Sequence, residues 1–299
     1  MIESMIAERM GRLGTETAFE VLARARALER QGKSVVHLEI GEPDFDTPAH
    51  IREAAKRALD AGATHYGPSA GLPELREAIA EHIEKTRGVP VAPDDVGRIA
   101  ELARHYRVPV LSDEIYRRFL YEGEFASIAS LPGMKPQTVI LDGFSKSYAM
   151  TGWRLGFGVM PKPLAEHLIR LMTNSVSCTA TFIQHAGLAA LRGDDTPVQA
   201  MVEEFRQRRD LVVDGLNRIP GVTCRRPRGA FYVFPNVKAI GRPSKEIATH
   251  LLEQAGVAVL GGTAFGEYGE GYLRLSYAAS RETIQEALGR IERGLMGLG

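Results

Sequence analysis

Two short apolar segments, each running into an acidic residue, constrain the fold of this chain more than any other feature. Val108–Leu111 leads to Asp113, and Thr138–Leu141 leads to Asp142. Segments with helical composition alternate with these apolar segments, which predicts an α/β fold with a mainly parallel sheet of buried strands. Ligands of such sheets gather at the carboxyl ends of the strands, so Asp113 is a candidate site residue.

Later segments extend this pattern. Trp153–Val159 predicts a third strand of the sheet. From about Asp194 a long charged helix, short strands and further helices indicate a smaller α+β domain. The aromatic run Phe231–Phe234 is more typical of a core strand than of a ligand site.

The charge balance argues against several classes of function. Lys and Arg number 37, as do Asp and Glu, so the formal net charge is zero. A neutral chain has no general attraction for nucleic acid or for an anionic membrane. No apolar run approaches the ~20 residues that span a bilayer, and Met1–Met10 does not resemble a signal peptide. We therefore expect a cytoplasmic protein that binds neither nucleic acid nor membranes.

The cysteines and histidines indicate neither a disulfide framework nor a metal site. Cys178 and Cys224 lie far apart and in no CxxC pattern. The eight histidines are scattered, without the paired spacing of metal ligands. We expect free thiols in a reducing compartment and no bound metal.

A lysine between two serines is the strongest candidate nucleophile. Lys146 follows Ser145 just after a predicted strand, and Arg154 comes eight residues later. A lysine in a semi-enclosed, cationic site can lose its proton and attack a carbonyl. A nearby guanidinium and hydroxyl can hold a phosphate. The competing interpretation is an ordinary surface lysine.

The segment around Asp113 favours the functional interpretation of that lysine. A carboxylate at the end of a strand can pair with a pyridinium nitrogen and keep it protonated, which makes the ring an electron sink. Tyr116, three residues later, can hydrogen-bond a phenolic oxygen of such a ring. A turn former or helix cap is the alternative role for Asp113.

Together these segments resemble the class I and II aminotransferases, which have fold type I of the aspartate aminotransferase superfamily and use pyridoxal 5′-phosphate (PLP). Ser112–Tyr116 is similar to the family's pyridine-nitrogen motif, and Ser145–Arg154 is similar to its lysine motif. Other matching segments are Gly41–Phe45, Tyr66–Arg76, Gly261–Gly266 and Tyr272–Ser276. The resemblance covers nearly the whole chain, in order.

The resemblance implies a role for each matching residue at the cofactor. Lys146 would hold PLP covalently and move the proton between the substrate Cα and the cofactor. Asp113 would pair with the ring nitrogen, and Tyr116 would contact the ring oxygen. Ser145 and Arg154 would bind the phosphate.

The resemblance also implies a substrate clamp and a shared active site. Arg274 would bind the substrate α-carboxylate in a two-pronged ion pair, supported by the backbone amide of Gly41. Tyr66 would reach the phosphate of a neighbouring subunit, which implies a homodimer. The alternatives are an ordinary surface ion pair for Arg274 and a core position for Tyr66.

The implied architecture and activity follow from the same resemblance. We expect an N-terminal arm and loop over residues 1–47 that packs with the small domain. A three-layer, PLP-binding large domain would occupy residues 48–192, and a small α+β domain residues 193–299. The implied reaction moves an amino group between an amino acid and a 2-oxo acid, in amino-acid metabolism and biosynthesis. A PLP-dependent β-lyase, which uses the same lysine and aspartate, is the alternative enzyme.

One part of the family pattern is missing after Val96. There the pattern continues with a strand, a phosphate-cradling glycine turn, an aromatic residue that stacks on the ring and an Asn-Pro-x-Gly loop, whereas here Gly97 follows directly. At ~30 residues per βαβ unit, a few units are absent. We expect exposed sheet edges and impaired activity. A non-catalytic binding protein is the alternative, and a degenerate paralogue, a faulty gene model and an engineered deletion would each explain the gap.

Overall fold

The computed structural model describes residues 10, 14, 16–87 and 94–298. The helices are α1 (Thr17–Glu29), α2 (Ala49–Asp60), α3 (Pro73–Arg87), α4 (Asp94–Tyr106), α5 (Lys162–Val176), α6 (Thr181–Arg192), α7 (Thr196–Leu216), α8 (Ser244–His250) and α9 (Arg281–Met296). The strands are β1 (Val36–His37), β2 (Val110–Asp113), β3 (Thr138–Gly143), β4 (Gly156–Val159), β5 (Tyr232–Val233), β6 (Val257–Ala258), β7 (Leu260–Gly261) and β8 (Leu273–Ser276).

The chain divides into two compact units, named here after the candidate residue that each contains. The lysine unit comprises Glu42–Glu203 and Arg228–Ala230 and contains Lys146. The arginine unit comprises the described residues up to Gly41, Glu204–Pro227 and the chain from Phe231 onward, and contains Arg274. The division into a PLP-binding domain and a small domain at residues 47 and 192 stays a prediction.

The sheet of the lysine unit has the strand order β2-β3-β4. β2 and β3 are parallel, with Asp113 in register with Leu141, and β4 runs antiparallel to β3. Gly143 faces Gly156 across the antiparallel pair, where a Cβ on Gly143 would lie 3.0 Å from the Gly156 Cα. Glycine permits this close approach of two backbones at the end of β3. The alternation of helices with strands confirms the predicted α/β fold.

One expectation about this sheet is wrong. Val108–Leu111 is predicted as a buried strand, but the strand begins at Val110, and Leu111 is 66% exposed. The physical reason is that, within the described residues, β2 pairs with β3 and with no strand on its other side. Strand β2 is therefore an edge strand of the described sheet, in agreement with the prediction of exposed sheet edges.

The core of the lysine unit lies where α2, α3 and α6 meet the loop after β3. Ile51, Leu75 and Ala186 are buried there, and Phe144 and Met150 join them from that loop. A second cluster joins Ala100 and Ala103 of α4 to Ile128 and Met134. Together with the sheet, the first cluster holds the segment that carries Lys146.

The arginine unit combines elements from both ends of the chain. β1 pairs in parallel with β6, and β5-β8-β7 form an antiparallel sheet. Among the short strands predicted for this part of the chain is one near Val222, where the structure has a single bridge between Thr223 and Asn236. No helix of the described part of the chain is both long enough and apolar enough to cross a bilayer.

Candidate active site

The carboxyl ends of β2 and β3 carry two of the three predicted catalytic residues, the third being Tyr116. Asp113 is the last residue of β2, and Lys146 follows the end of β3 by three residues. Because these strands are parallel neighbours, both residues lie at the same edge of the sheet. This is the arrangement that the sequence predicts, whereas the roles of the residues remain predictions.

The Asp113 carboxylate lies in a local turn. Its Oδ1 accepts a hydrogen bond of 3.1 Å from the Ile115 backbone amide, and the residue is exposed. The next residue, Glu114, is buried, with its Oε1 2.5 Å from the Ser127 hydroxyl and 3.2 Å from the Ser112 hydroxyl. The contact with the Ile115 amide fits the alternative role of Asp113 as a turn former. The carboxylate nevertheless remains accessible to a ligand.

The other predicted residue of this segment, Tyr116, is partly buried. Its ring meets Phe119 edge to face, with 6.4 Å between the centroids. An aromatic contact of this kind helps to hold the plane of the ring. Tyr116 follows β2 in the chain and lies at the same end of the sheet as Asp113.

The loop that carries Lys146 has a tightly defined backbone. The amide of Ala149 donates to the Lys146 carbonyl at 3.3 Å, and the amide of Met150 donates to the Ser145 carbonyl at 3.0 Å. Ala149 and Arg154 both adopt left-handed conformations, with φ of 51° and 53°. Such conformations are uncommon for residues other than glycine and cluster at functional sites.

The segment before α2 fastens this loop. The Thr47 hydroxyl donates to the Ala149 carbonyl at 2.6 Å and accepts from the Trp153 indole at 3.1 Å. The Thr151 hydroxyl donates to the Glu42 carboxylate. Thr47 therefore supports the lysine loop and does not cap α2, whose N-cap residue is Pro48.

The two predicted phosphate ligands nearest to Lys146 differ in exposure. Ser145 is partly buried beside the lysine, and Arg154 is exposed. The Arg154 guanidinium donates through Nη1 to the Thr151 carbonyl at 2.9 Å. Arg154 thus lies on the same loop as Ser145, with most of its guanidinium open to an anion.

Tyr66 lies on the surface of the lysine unit. Its side chain is 88% exposed, so the alternative of a core tyrosine is wrong. The flanking backbone is fixed, because the Thr181 hydroxyl donates to the His65 carbonyl at 2.8 Å and the Leu72 amide donates to Gln184 Oε1 at 2.7 Å. A tyrosine on a rigid segment is thus presented to solvent.

Ion pairs and burial set the charges behind the lysine loop. Arg117 lies 3.1 Å from Asp142 in a largely buried pair. Burial raises the pKa of the Tyr148 hydroxyl, and the nearby Arg118 opposes that rise only in part. Tyr148 therefore stays protonated and neutral at physiological pH.

Among the described residues, no group of three or more His, Cys, Asp or Glu side chains is placed to hold a metal ion.

The arginine unit contains the predicted carboxylate clamp. Arg274 is partly buried on β8, and its guanidinium donates to the Glu39 carbonyl. Its guanidinium carbon lies 4.8 Å from the Tyr232 ring centroid and 5.3 Å from that of Phe265. Gly41 packs against Tyr232, and a Cβ at this position would displace the hydroxyl end of the tyrosine ring.

Tyr232 and Phe265 are residues that the sequence analysis does not identify as part of the clamp. The only sequence signal for Tyr232 is its place in the predicted strand Phe231–Phe234, because alternate residues of a strand face opposite sides. In the structure Phe231 and Val233 are buried, whereas Tyr232 and Phe234 are more exposed. Phe265 lies in the segment Gly261–Gly266 that resembles the family, but its contact with Arg274 depends on the fold of a loop. Both rings lie close enough to the guanidinium for cation–π contacts, which favour its present position.

Comparison with known proteins identifies the family. The model of the family described as "Aminotransferase class I and II" matches residues 33–96 and 87–291. The chain is 34% identical to an aspartate aminotransferase of Pyrococcus horikoshii, over 98% of this chain and 97% of that protein. It is also 34% identical to an aromatic-amino-acid aminotransferase of Thermococcus litoralis, over 88% of this chain and 92% of the relative.

Solved structures agree with these relatives. A Pyrococcus structure named protein-A1 superposes with a TM-score of 0.91 at 32% identity, covering 97% of this chain and 98% of the other. The Thermus thermophilus aspartate aminotransferase with maleate superposes with a TM-score of 0.89 at 31% identity, covering 97% of this chain and 99% of the other.

The comparisons also bear on the missing segment. The alignment with the Pyrococcus horikoshii relative extends over 388 positions, whereas this chain has 299 residues, so at least 89 positions hold no residue of this chain. The family match breaks into two parts that meet at residues 87–96, next to the Val96–Gly97 junction. By sequence and by fold, the chain belongs to the class I and II aminotransferases, the family of PLP-dependent transferases that its motifs resemble.

Proposed function

We propose that this chain uses Lys146 as the catalytic amine of an aminotransferase that moves an amino group between an amino acid and a 2-oxo acid, with an activity impaired by the missing segment. The observation that carries this proposal is the placement of Asp113 and Lys146 at the ends of neighbouring parallel strands. An acid and an amine at one edge of a sheet are the two groups that the reaction needs on the cofactor ring and at the substrate Cα.

The residues at this edge fit PLP by the chemistry of their donor groups. Lys146 offers an amine for the aldehyde, and Asp113 offers an accessible carboxylate for the ring nitrogen. The Ser145 hydroxyl and the exposed Arg154 guanidinium offer donors for a phosphate. When bound, PLP supplies an electron sink for the charge that develops at the substrate Cα.

Each protein group then has a defined task. Lys146 would take a proton from the substrate Cα and deliver it to the cofactor. Asp113 keeps the ring nitrogen protonated, and Tyr116 donates a hydrogen bond to the ring oxygen. The Thr47 and Glu42 contacts hold the lysine loop still, which keeps the amine in position for proton transfer.

The substrate carboxylate is assigned to Arg274. A planar guanidinium matches both oxygens of a carboxylate, and the contacts with the rings of Tyr232 and Phe265 support its position. The backbone amide of Gly41 adds a further donor, since that residue packs next to Tyr232.

We further propose a homodimer in which Tyr66 contacts the phosphate bound by the partner subunit. The 88% exposure of Tyr66 on a fixed segment supports this contact, because the hydroxyl is free to meet another chain. A cytoplasmic, biosynthetic role is part of the same proposal. Its support is that Cys178 and Cys224 are both free thiols, which fits a reducing compartment.

An assay of product formation tests the proposed reaction. The purified chain, saturated with PLP, is given several amino acids with and without 2-oxoglutarate, and the new amino and 2-oxo acids are quantified. Transfer that requires the acceptor supports the proposal. Pyruvate and ammonia formed without an acceptor would show a β-lyase instead, and loss of both products with bound PLP would favour a binding protein.

A further inference from the structure

A buried carboxylate lies in the segment that holds Arg274. Glu39 is fully buried, and its Oε1 is 2.7 Å from His37 Nδ1. Its Oε2 has no hydrogen-bond partner among the described residues. A buried carboxylate is costly to ionise unless a cation compensates it, and His37 is placed to do so.

His37 joins this carboxylate to a second one. Its Nε2 lies 3.2 Å from Oε1 of Glu29, the last residue of α1. Burial disfavours the charged imidazolium, but the hydrogen bonds and attraction of Glu39 and then Glu29 outweigh it and raise the pKa of His37. As an imidazolium, His37 donates to both carboxylates at once.

Few other charges face His37 from the neighbouring elements. On β6 its register partner is Ala258, which is uncharged. Arg290 of α9 donates to the carbonyls of Ser34 and Gly256, which precede β1 and β6, so its charge is engaged away from His37. Glu29 on α1 and Glu39 on its own segment are therefore the charges that decide its protonation.

The Leu38–Gly41 segment connects this charge pair to the clamp. The Glu39 carbonyl accepts a hydrogen bond from Arg274, and the Leu38 carbonyl accepts one from the Ser276 amide at 2.7 Å. Gly41 packs against the Tyr232 ring, over which the Arg274 guanidinium lies. A shift of this segment would move the carbonyl and the ring that fix the guanidinium.

We propose that His37 is a positioning residue for Arg274, because as an imidazolium it neutralises buried Glu39 and so holds Leu38–Gly41 in the conformation that fixes the clamp. The inference rests on the proposed carboxylate-binding role of Arg274. It adds a pH-dependent element to that role, since loss of the His37 proton leaves the Glu39 charge uncompensated. The segment then relaxes, and carboxylate affinity falls.

The test uses succinate as a carboxylate probe on the full chain, with affinity followed by NMR at pH 6 and pH 8.5. In the unmodified protein, affinity should be higher at pH 6. His37→Gln should weaken binding at pH 6 on the order of tenfold, a usual size for contacting pairs. The double variant His37→Gln/Glu39→Gln should restore most of the affinity and remove the pH dependence, because neither charge remains.

Two controls separate this inference from the proposed function. Arg274→Ala should weaken succinate binding by about 30-fold or more; if it does not, the clamp itself is misassigned. If Arg274→Ala weakens binding to this extent whereas His37→Gln has no effect, only the positioning role of His37 is wrong. The NMR pKa of His37 gives a second readout that needs no ligand, and it should fall in Glu39→Gln. An unchanged pKa in that variant would overturn the proposal even if His37→Gln failed to fold.

Discussion

At the scale of single residues, the clearest prediction concerns the effect of replacing Arg274 on carboxylate binding. Arg274→Ala removes a charged pair with the substrate carboxylate, so we expect a loss of roughly 2–3 kcal/mol in binding, about 30- to 150-fold in Kd. Arg242→Ala is the matched control, because this arginine lies in the same unit and makes an exposed contact of 3.5 Å with Glu246. Calorimetric titration with a dicarboxylate measures both, and equal losses would refute the clamp.

His37 predicts how the free energy of unfolding depends on pH. Its pKa is raised in the folded protein, so its contribution to stability is complete below the unfolded value of about 6.5. That contribution is lost as pH rises through the folded pKa. Denaturant unfolding between pH 6 and pH 8 should show a decline that is smaller in Glu39→Gln, and identical slopes in the two proteins would contradict this.

A site residue can be predicted from the sequence when the pattern that marks it lies next to it in the chain. Asp113 and Lys146 are predictable because each directly follows a strand-like segment. His37 and Glu39 lie in the short, mostly apolar segment Ser34–Ile40. Two ionisable side chains in such a segment are a sequence signal, although neither residue is identified as a candidate from the sequence. Phe265 lies in a segment that resembles the family, but its contact with Arg274 is not predictable from the sequence, because it joins a loop to a strand through the fold.

At the scale of elements, strand β2 is the weak point of the lysine unit. Leu111 is 66% exposed on a strand that, in the described part of the chain, has a neighbour on one side only. An open apolar edge is a template for pairing with other chains. We expect Leu111→Lys to raise solubility several-fold by charging that edge.

The control for this variant is an equally exposed leucine away from any strand. Leu171 on α5 is 61% exposed, so Leu171→Lys removes a similar apolar area without touching a strand edge. Light scattering over a concentration series compares the variants, with circular dichroism as the check on folding. If both substitutions suppress association equally, general hydrophobicity and not the edge is responsible.

Strand β2 also shows which structural properties can be predicted from a local sequence pattern and which cannot. The position and direction of β2 follow from its apolar run and its acidic end. Its exposure does not, because burial of a strand depends on neighbours that lie elsewhere in the chain. The sequence analysis also leaves α5 and α6 unassigned, although α6 packs its small residues Ala186 and Ala190 into the core.

At the scale of the whole molecule, the shortened chain should bind PLP weakly. The lysine, the aspartate and part of the phosphate donors remain, whereas at least 89 aligned positions of a relative have no counterpart. Each lost hydrogen bond to a charged phosphate costs roughly 1.5–3 kcal/mol, and every ~1.4 kcal/mol is tenfold in Kd. Two or three such losses raise Kd by several orders of magnitude.

Equilibrium dialysis against PLP measures this directly. The aspartate aminotransferase of Pyrococcus horikoshii, which is 34% identical, serves as the full-length reference in the same buffer. We expect low occupancy and little turnover for the shortened chain at PLP concentrations that saturate the reference. Stoichiometric PLP with ordinary turnover would show that other residues of the chain replace the missing segment.

The most direct test of the account is chemical labelling of the lysine. The chain is incubated with excess PLP, reduced with borohydride, digested and mapped by mass spectrometry. The account predicts a label on the peptide that contains Lys146, its loss in Lys146→Ala and its persistence in Lys162→Ala, an exposed lysine on α5. A dominant label on another lysine, or an undiminished label in Lys146→Ala, would contradict the assignment of Lys146 as the catalytic amine.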